Sequence, residues 1–282
     1  MYICFKAKIK SGTNMSLEEE VRLLAQREGP ENALRKIALE IFPEISSPFE
    51  ETSNVLCIQP HPDDCEYGCG ATLAYLADKG IKVTYLTLTD GSKGTTNPSI
   101  TPEELALKRK KEQEEAGQVI GVSKIYWLDY PDGELPYTRE AMCRVMEVIR
   151  REKPDIVFAP DPWLLYEPHP DHRIGGLLAS EASLFSSLPH FCRGTPPHAV
   201  KRMIFYYTSK PNYFQPADDL IEKKLQALRK HRSQFEESWQ LLELSIRLIM
   251  AAYGTKINAK YAEPLRVIPL TIMHATLLSE LI

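Results

Sequence analysis

The sequence predicts an α/β fold, a Rossmann-like, doubly wound and mostly parallel sheet with helical additions at both ends. Three observations carry this. From residue 54 onward, short apolar runs rich in β-formers alternate with helical segments of 12 residues or more, the pattern of βαβ units. Turn and cap signals such as Gly80, Asp90-Gly91 and Pro154 punctuate that alternation. The 282 residues, 43% hydrophobic and 26% charged, are ample for a buried core and ordinary for a folded chain. One domain is expected over residues 1–282, with a core at about 54–210, an N-terminal helical extension (1–53) and a C-terminal helical region (211–282).

The elements follow in order. Met1 to Asn14 shows no amphipathic period and reads as a short tail or an edge strand. Met15-Ser-Leu-Glu-Glu-Glu reads as a fresh start, with Met15 a candidate initiator, Ser16 an N-cap and acidic residues in the first turn. Residues 16–42 are expected to form two helices broken at Gly29-Pro30. NVLCIQ (54–59) is the first buried strand. The helix over 65–80 has Cys69, Leu73 and Leu76 at helical spacing and closes at Gly80. KVTYLTLT (82–89) is the second strand, and 102–120 a highly charged helix. Ile125 to Leu128 is the third strand, and 138–152 a helix stopped before Pro154. DIVFAP (155–160) is the fourth strand, 171–187 a helix, and VKRMIFYYT (200–208) the fifth strand. Asp218 to Arg232 and Glu236 to Tyr253 are the last two helices.

Composition excludes several classes. The formal net charge of −4 offers no basic stripe for nucleic acid. No run approaches the ~18 apolar residues of a membrane span, and the most apolar late stretch, Leu241 to Gly254, is broken by Glu243 and Arg247. The first ten residues hold too short an apolar stretch for a signal peptide. A cytoplasmic location is expected, with the six cysteines (4, 57, 65, 69, 143, 192) reduced. No CxxC pair occurs. Cys65 and Cys69 lie four apart and read as small core residues, a metal or disulfide role being the lesser alternative. No Walker A loop or GxGxxG fingerprint supports a nucleotide site.

Two clusters carry chemistry. Pro60-His61-Pro62-Asp63-Asp64 directly follows the first strand, and Pro168-His169-Pro170-Asp171-His172 lies after the fourth, at the start of a helix. Ligands bind open parallel sheets outside the carboxyl ends of strands, at the switch point, so neighbouring first and fourth strands would bring both clusters into one crevice. A catalytic zinc takes three nitrogen or oxygen ligands and keeps one position for water. His61 and Asp64, three apart on a turn opening a helix, can chelate one ion, with His172 as third ligand from across the crevice. Asp63 then stays free to act on the water, and attack on a carbonyl is the chemistry of such a set. HPD and PDH are also ordinary turn sequences. Two of them, each just past a buried strand, favour the metal site.

QPHPDDCEYGCGATLAYLADKG followed by EPHPDHRIGG resembles the PIG-L/LmbE family of zinc-dependent N-acetylglucosaminyl deacetylases, from about Asn54 to Leu188, and DYPDGEL (129–135) also fits. The length and the Cys-Glu-Tyr-Gly-Cys-Gly segment are most like archaeal members acting on diacetylchitobiose. The resemblance implies one zinc per chain at His61, Asp64 and His172, Asp63 as general base, and His169 as oxyanion stabiliser or proton donor. It implies that Asp171 orients His169 and that Arg109 and Asp132 contact substrate. For Arg109 a solvated helix face is the competing expectation. Cys65 stands where many members carry an acidic residue, with Glu66 one place later. Trp163 and Tyr166, in the loop after the fourth strand, could stack on a sugar or be partly buried. His190, His198, His231 and His274 have no motif around them; His274 could complete a neighbouring subunit's site. The implied reaction is hydrolysis of the N-acetyl group of a small amino sugar, N,N′-diacetylchitobiose or a related N-acetylglucosaminide, by a homo-oligomer. The alternatives are an amidase acting on inositol-linked or thiol-conjugated amino sugars and a non-catalytic sugar-binding module.

Overall fold

A computed structural model describes residues 15–282; the tail expected at Met1 to Asn14 lies outside them. The chain enters through α1 (Leu17–Glu28) and α2 (Pro30–Ile41), divided at Gly29-Pro30 as the sequence predicts. Ser16 caps α1 through a reciprocal box, its hydroxyl accepting from the Glu19 N–H while Glu19 accepts from the Ser16 N–H. The core alternation is β1 (Asn54–Gln59), α3 (Asp64–Asp78), β2 (Lys82–Thr89), α4 (Pro102–Ile120), β3 (Lys124–Tyr130), α5 (Arg139–Glu152), β4 (Ile156–Pro160), α6 (Pro170–Phe185) and β5 (Arg202–Tyr206). The chain then forms β6 (Tyr213–Pro216), α7 (Ile221–Leu228), α8 (Arg232–Phe235), α9 (Trp239–Gly254), β7 (Ala262–Pro269) and α10 (Leu278–Leu281).

The seven strands run in the order β3-β2-β1-β4-β5-β7-β6, parallel from β3 to β5. Winding goes outward from β1 to β3, then returns to the other side of β1 with β4, so the switch point lies between β1 and β4. Strand residues alternate between two buried layers. Leu56, Ile58, Leu86, Val157 and Phe205 face α5 and α6, whereas Val55, Cys57, Tyr85, Phe158 and Tyr206 face α3 and α4. Burial on both faces is why these strands read as continuous apolar runs.

The C-terminal region departs from expectation. Residues 211–282 are not only helical: β6 and β7 extend the sheet, β7 antiparallel to both β5 and β6. β6 has four residues, too few for a periodic signal. β7 carries Glu263, Pro264 and Arg266, which break its apolar run. Both charges are tolerated because tertiary partners meet them: Lys224 pairs with Glu263, and Arg266 donates to the carbonyls of Lys210 and Ser279. The helix expected at Asp218 to Arg232 is shorter, α7, with α8 following.

The cysteines divide. Cys57, Cys65 and Cys69 are buried free thiols in the core beneath α3, as small core residues. Cys143 and Cys192, expected to be reduced, form a disulfide. They are 49 residues apart in sequence, and only the packing of α5 beside the loop after α6 brings their Cα atoms to 5.4 Å.

Candidate active site

β1 and β4 are parallel neighbours, and both histidine-aspartate clusters leave their carboxyl ends on the same side of the sheet. The Pro60 carbonyl accepts from the Thr89 N–H and hydroxyl, which ties the exit of β1 to the end of β2. The Asp64 carboxylate then accepts from the His61 N–H at 2.8 Å and closes the turn into α3. Across the crevice His169 caps α6, its Nδ1 accepting from the Asp171 N–H. Gly176 lets α6 sit directly on the end of β4, since a Cβ there would lie 2.4 Å from the Pro160 carbonyl oxygen. On the other face a Cβ at Gly68 would lie 2.2 Å from the Tyr206 ring, so α3 also needs its glycine. The result brings three imidazoles together, with His61 centroids 4.6 Å from His169 and 5.3 Å from His172.

Two overlapping sets could hold a metal ion, their donor atoms within 4.8 Å of one another: His61, Asp64 and His172, and His61, Asp132, His169 and Asp171. The first set is centred on one carboxylate. Asp64 lies between its two rings, 3.4 Å from His61 Nδ1 and 3.3 Å from His172 Nε2. The opposite nitrogens are held by further carboxylates: His61 Nε2 faces Asp171 at 3.1 Å and Asp132 at 3.2 Å, and His172 Nδ1 faces Glu167 at 3.0 Å. A carboxylate on the far nitrogen is the usual support of a metal-binding histidine. In the second set, both Asp171 oxygens already accept the N–H groups of Gly133 and Leu135. The Tyr207 hydroxyl donates to Asp64 at 3.1 Å. Burial alone would lower the His61 pKa; Asp132, Asp171 and Asp64 outweigh it and raise it well above the ordinary value. Asp132, against the effect of burial, is held at about 2 by its contact with His61.

Asp63 stands beside this set. Its φ of 107° places a non-glycine residue in the left-handed region, a strain of about 1–3 kcal/mol that the surroundings must hold. Its N–H donates to Gln113, and its carboxylate accepts from Arg109 at 3.1 Å. Burial pushes the Asp63 carboxyl up, Arg109 opposes this and Asp64 adds to it, leaving its pKa at about 6.

The structure therefore brings His61, Asp63, Asp64, His169, Asp171 and His172 together. Some details differ from expectation. The Asp171 carboxylate contacts His61; its tie to His169 runs through its backbone N–H. Arg109 is not on a solvated face: it is buried and donates to Asp63 and to the carbonyls of Pro62 and Gly91. Asp132 meets His61 and accepts from the Lys93 N–H, and Asp90 shapes the wall by accepting from the Asp132 N–H. Trp163 packs edge-on against Phe205 while its neighbour Leu164 lines the cavity. Tyr166 is exposed. Glu66 is fully buried, bonded to Gln113 and facing the buried His231.

Sequence reading missed Glu167, Gln113 and Tyr207. Glu167 carries a local signal, standing two residues before His169 and five before His172. Gln113 and Tyr207 come from distant elements, and no spacing announces them. A cavity of about 930 Å³ runs from the histidine cluster to α9.

Known proteins match this chain in sequence and fold. Residues 56–183 fit the family model described as PIG-L, GlcNAc-PI de-N-acetylase. The chain is 49% identical over 236 residues to the diacetylchitobiose deacetylase of Thermococcus kodakarensis, covering 82% of this chain and 88% of that protein. The structure of the Pyrococcus horikoshii N,N′-diacetylchitobiose deacetylase with its inhibitor superposes with a TM-score of 0.84 at 46% identity, over 89% of this chain and 97% of that one. A conserved protein of Thermus thermophilus follows with a TM-score of 0.67 at 31% identity, over 76% and 93%. These matches in sequence and fold show that this chain belongs to the PIG-L family of de-N-acetylases.

Proposed function

We propose that the protein is a zinc-dependent hydrolase that removes the N-acetyl group of an N-acetylglucosamine sugar, N,N′-diacetylchitobiose foremost, releasing acetate and a free amine. The observation that carries this reading is one carboxylate, Asp64, set between His61 and His172 with a second, Asp63, held beside it. Two imidazole nitrogens and one carboxylate are a donor set that suits zinc. Bound by His61, Asp64 and His172, zinc would supply Lewis acidity for the acetamide carbonyl and lower the pKa of water toward about 7.

The chain's own groups account for the proton movements. Asp63 accepts a proton from the attacking water as the new C–O bond forms. Arg109 fixes the Asp63 carboxylate, and its hydrogen bonds to the Pro62 and Gly91 carbonyls fix Arg109 in turn. His169 stabilises the developing oxyanion or donates a proton. When the C–N bond breaks, the amine takes its proton from Asp63 or His169. Asp132, Asp171 and Glu167 orient the two metal-binding rings.

A homo-oligomeric state is part of this reading, supported by Leu241, Leu244 and Leu248, which lie exposed along one side of α9. No helix among the described residues is long and apolar enough to cross a membrane. Acetate release from N,N′-diacetylchitobiose, with and without chelator, tests the reaction. Turnover that survives stringent metal removal, or acetate from none of a panel of acetamido sugars, would overturn it.

A further inference from the structure

Asp63 is held twice by the same helix. Arg109 and Gln113 stand one turn apart on one face of α4. Arg109 donates to the Asp63 carboxylate at 3.1 Å, and Gln113 Oε1 accepts from the Asp63 N–H at 2.9 Å. The first contact sits at the reacting group. The second takes no part in the proton movements, yet it is made at a residue whose φ of 107° lies in the left-handed region. The Asp63 carbonyl is committed to α3, accepting from the Tyr67 N–H. Gln113 therefore supplies the contact that fixes the Asp63 backbone from outside α3.

Gln113 can hold this N–H in only one of its two amide orientations. Its Oε1 also accepts from Gln59 Nε2 at 2.9 Å, so a turned amide would set its NH₂ against two donors. Gln59 is fixed in turn: its Oε1 accepts from the Cys65 N–H at 3.0 Å, and its Nε2 also donates to Thr87. On the other side Gln113 Nε2 donates to Glu66 Oε1 at 2.8 Å. The second Glu66 oxygen makes no hydrogen bond and faces His231 Nε2 at 3.6 Å. Gln59, Gln113 and Glu66 are fully buried, where a polar group that loses its partner has no cheap substitute.

We propose that Gln113 is a positioning residue for the reaction, holding the Asp63 backbone so that its carboxylate meets Arg109 and the attacking water, and that Glu66 sets the Gln113 amide in the orientation that does so. Neither side chain touches the reacting atoms; both act through Asp63. The proposal rests on the deacetylase reading with Asp63 as proton acceptor.

The test uses zinc-loaded enzyme and acetate release from N,N′-diacetylchitobiose. Gln113→Leu removes both polar atoms at similar size. Its kcat should fall roughly 10–100-fold, because displacing a reacting group by about 1 Å costs on the order of 10²-fold, with KM and zinc content near the parental values. Placed in Asp63→Asn, the same substitution should lower kcat/KM no further, since residues that act as one unit do not give additive losses. A generally loosened fold would lose more in the double variant. Glu66→Leu should behave as Gln113→Leu, whereas Glu66→Gln, which keeps an acceptor oxygen for Gln113 Nε2, should retain most of the parental kcat. Amide hydrogen exchange reads the same contact without turnover: the 60–66 segment should exchange faster in Gln113→Leu and at the parental rate in Glu66→Gln. Parental kcat in Gln113→Leu, additive losses with Asp63→Asn, unchanged exchange in Gln113→Leu, or equal losses in Glu66→Leu and Glu66→Gln would each overturn the proposal while leaving the reaction intact. Should Gln113→Leu fail to fold, the two Glu66 variants decide it. A parent that releases no acetate refutes the deacetylase reading and the positioning role with it.

Discussion

Replacing Asp63 by asparagine separates the two adjacent aspartates. Asparagine occupies the left-handed region more readily than most residues, so the φ of 107° at this position is retained. The N–H to Gln113 is unchanged, and the amide oxygen can still accept from Arg109, whose other hydrogen bonds go to backbone carbonyls. Stability should therefore change little. What disappears is the basic oxygen, and loss of a general base lowers turnover by about 10²–10⁴-fold, or roughly 3–5 kcal/mol of transition-state stabilisation at 1.36 kcal/mol per tenfold. Asp64→Asn acts differently. Asp64 is the carboxylate between His61 Nδ1 and His172 Nε2, and a neutral amide is a poorer metal ligand. This variant should lose metal on dialysis and recover part of its activity in excess zinc, whereas Asp63→Asn should keep its metal and stay inactive. The assay is steady-state acetate release together with metal content per chain. Rescue of Asp63→Asn by zinc, with Asp64→Asn left dead, would reverse the assignment. Asp63→Asn activity within tenfold of the parent would refute the base.

Other substitutions test the supporting residues. His169→Ala should lower kcat by roughly 10²–10³-fold with metal content unchanged; loss of metal instead would exchange the roles of His169 and His172. Glu167→Gln removes the carboxylate from His172 Nδ1 and should weaken zinc affinity by about 10–100-fold, measured by chelator competition; unchanged affinity would show that the contact does not tune the ligand. Gly176→Ala drives a Cβ into the Pro160 carbonyl oxygen, so thermal stability should fall and zinc affinity with it, because α6 carries His172. A variant with parental melting temperature and affinity would show that α6 can shift without cost.

The sequence by itself determined the alternating core and singled out His61, Asp63, Asp64 and His172, which the fold brings together. Apolar runs buried on both faces need no partner information to read as strands: NVLCIQ and KVTYLTLT coincide with β1 and β2. His61, Asp63 and Asp64 are local neighbours, so the turn that opens α3 fixes their relation. Tertiary structure decided what depends on distant partners. β7 reads poorly because Glu263 and Arg266 become tolerable only once Lys224 and the carbonyls of Lys210 and Ser279 meet them. The Cys143–Cys192 bond requires two segments 49 residues apart to pack together. Arg109 lies in a run of lysines and glutamates that reads as a solvated face, and only burial against Asp63 makes it part of the site. Likewise Asp171 is two residues from His169, yet its carboxylate supports His61, because the 133–135 backbone holds it on that side. Hydrophobic period and local turns are written into a few consecutive residues. The pairing of buried charges is written only into the fold that brings them together.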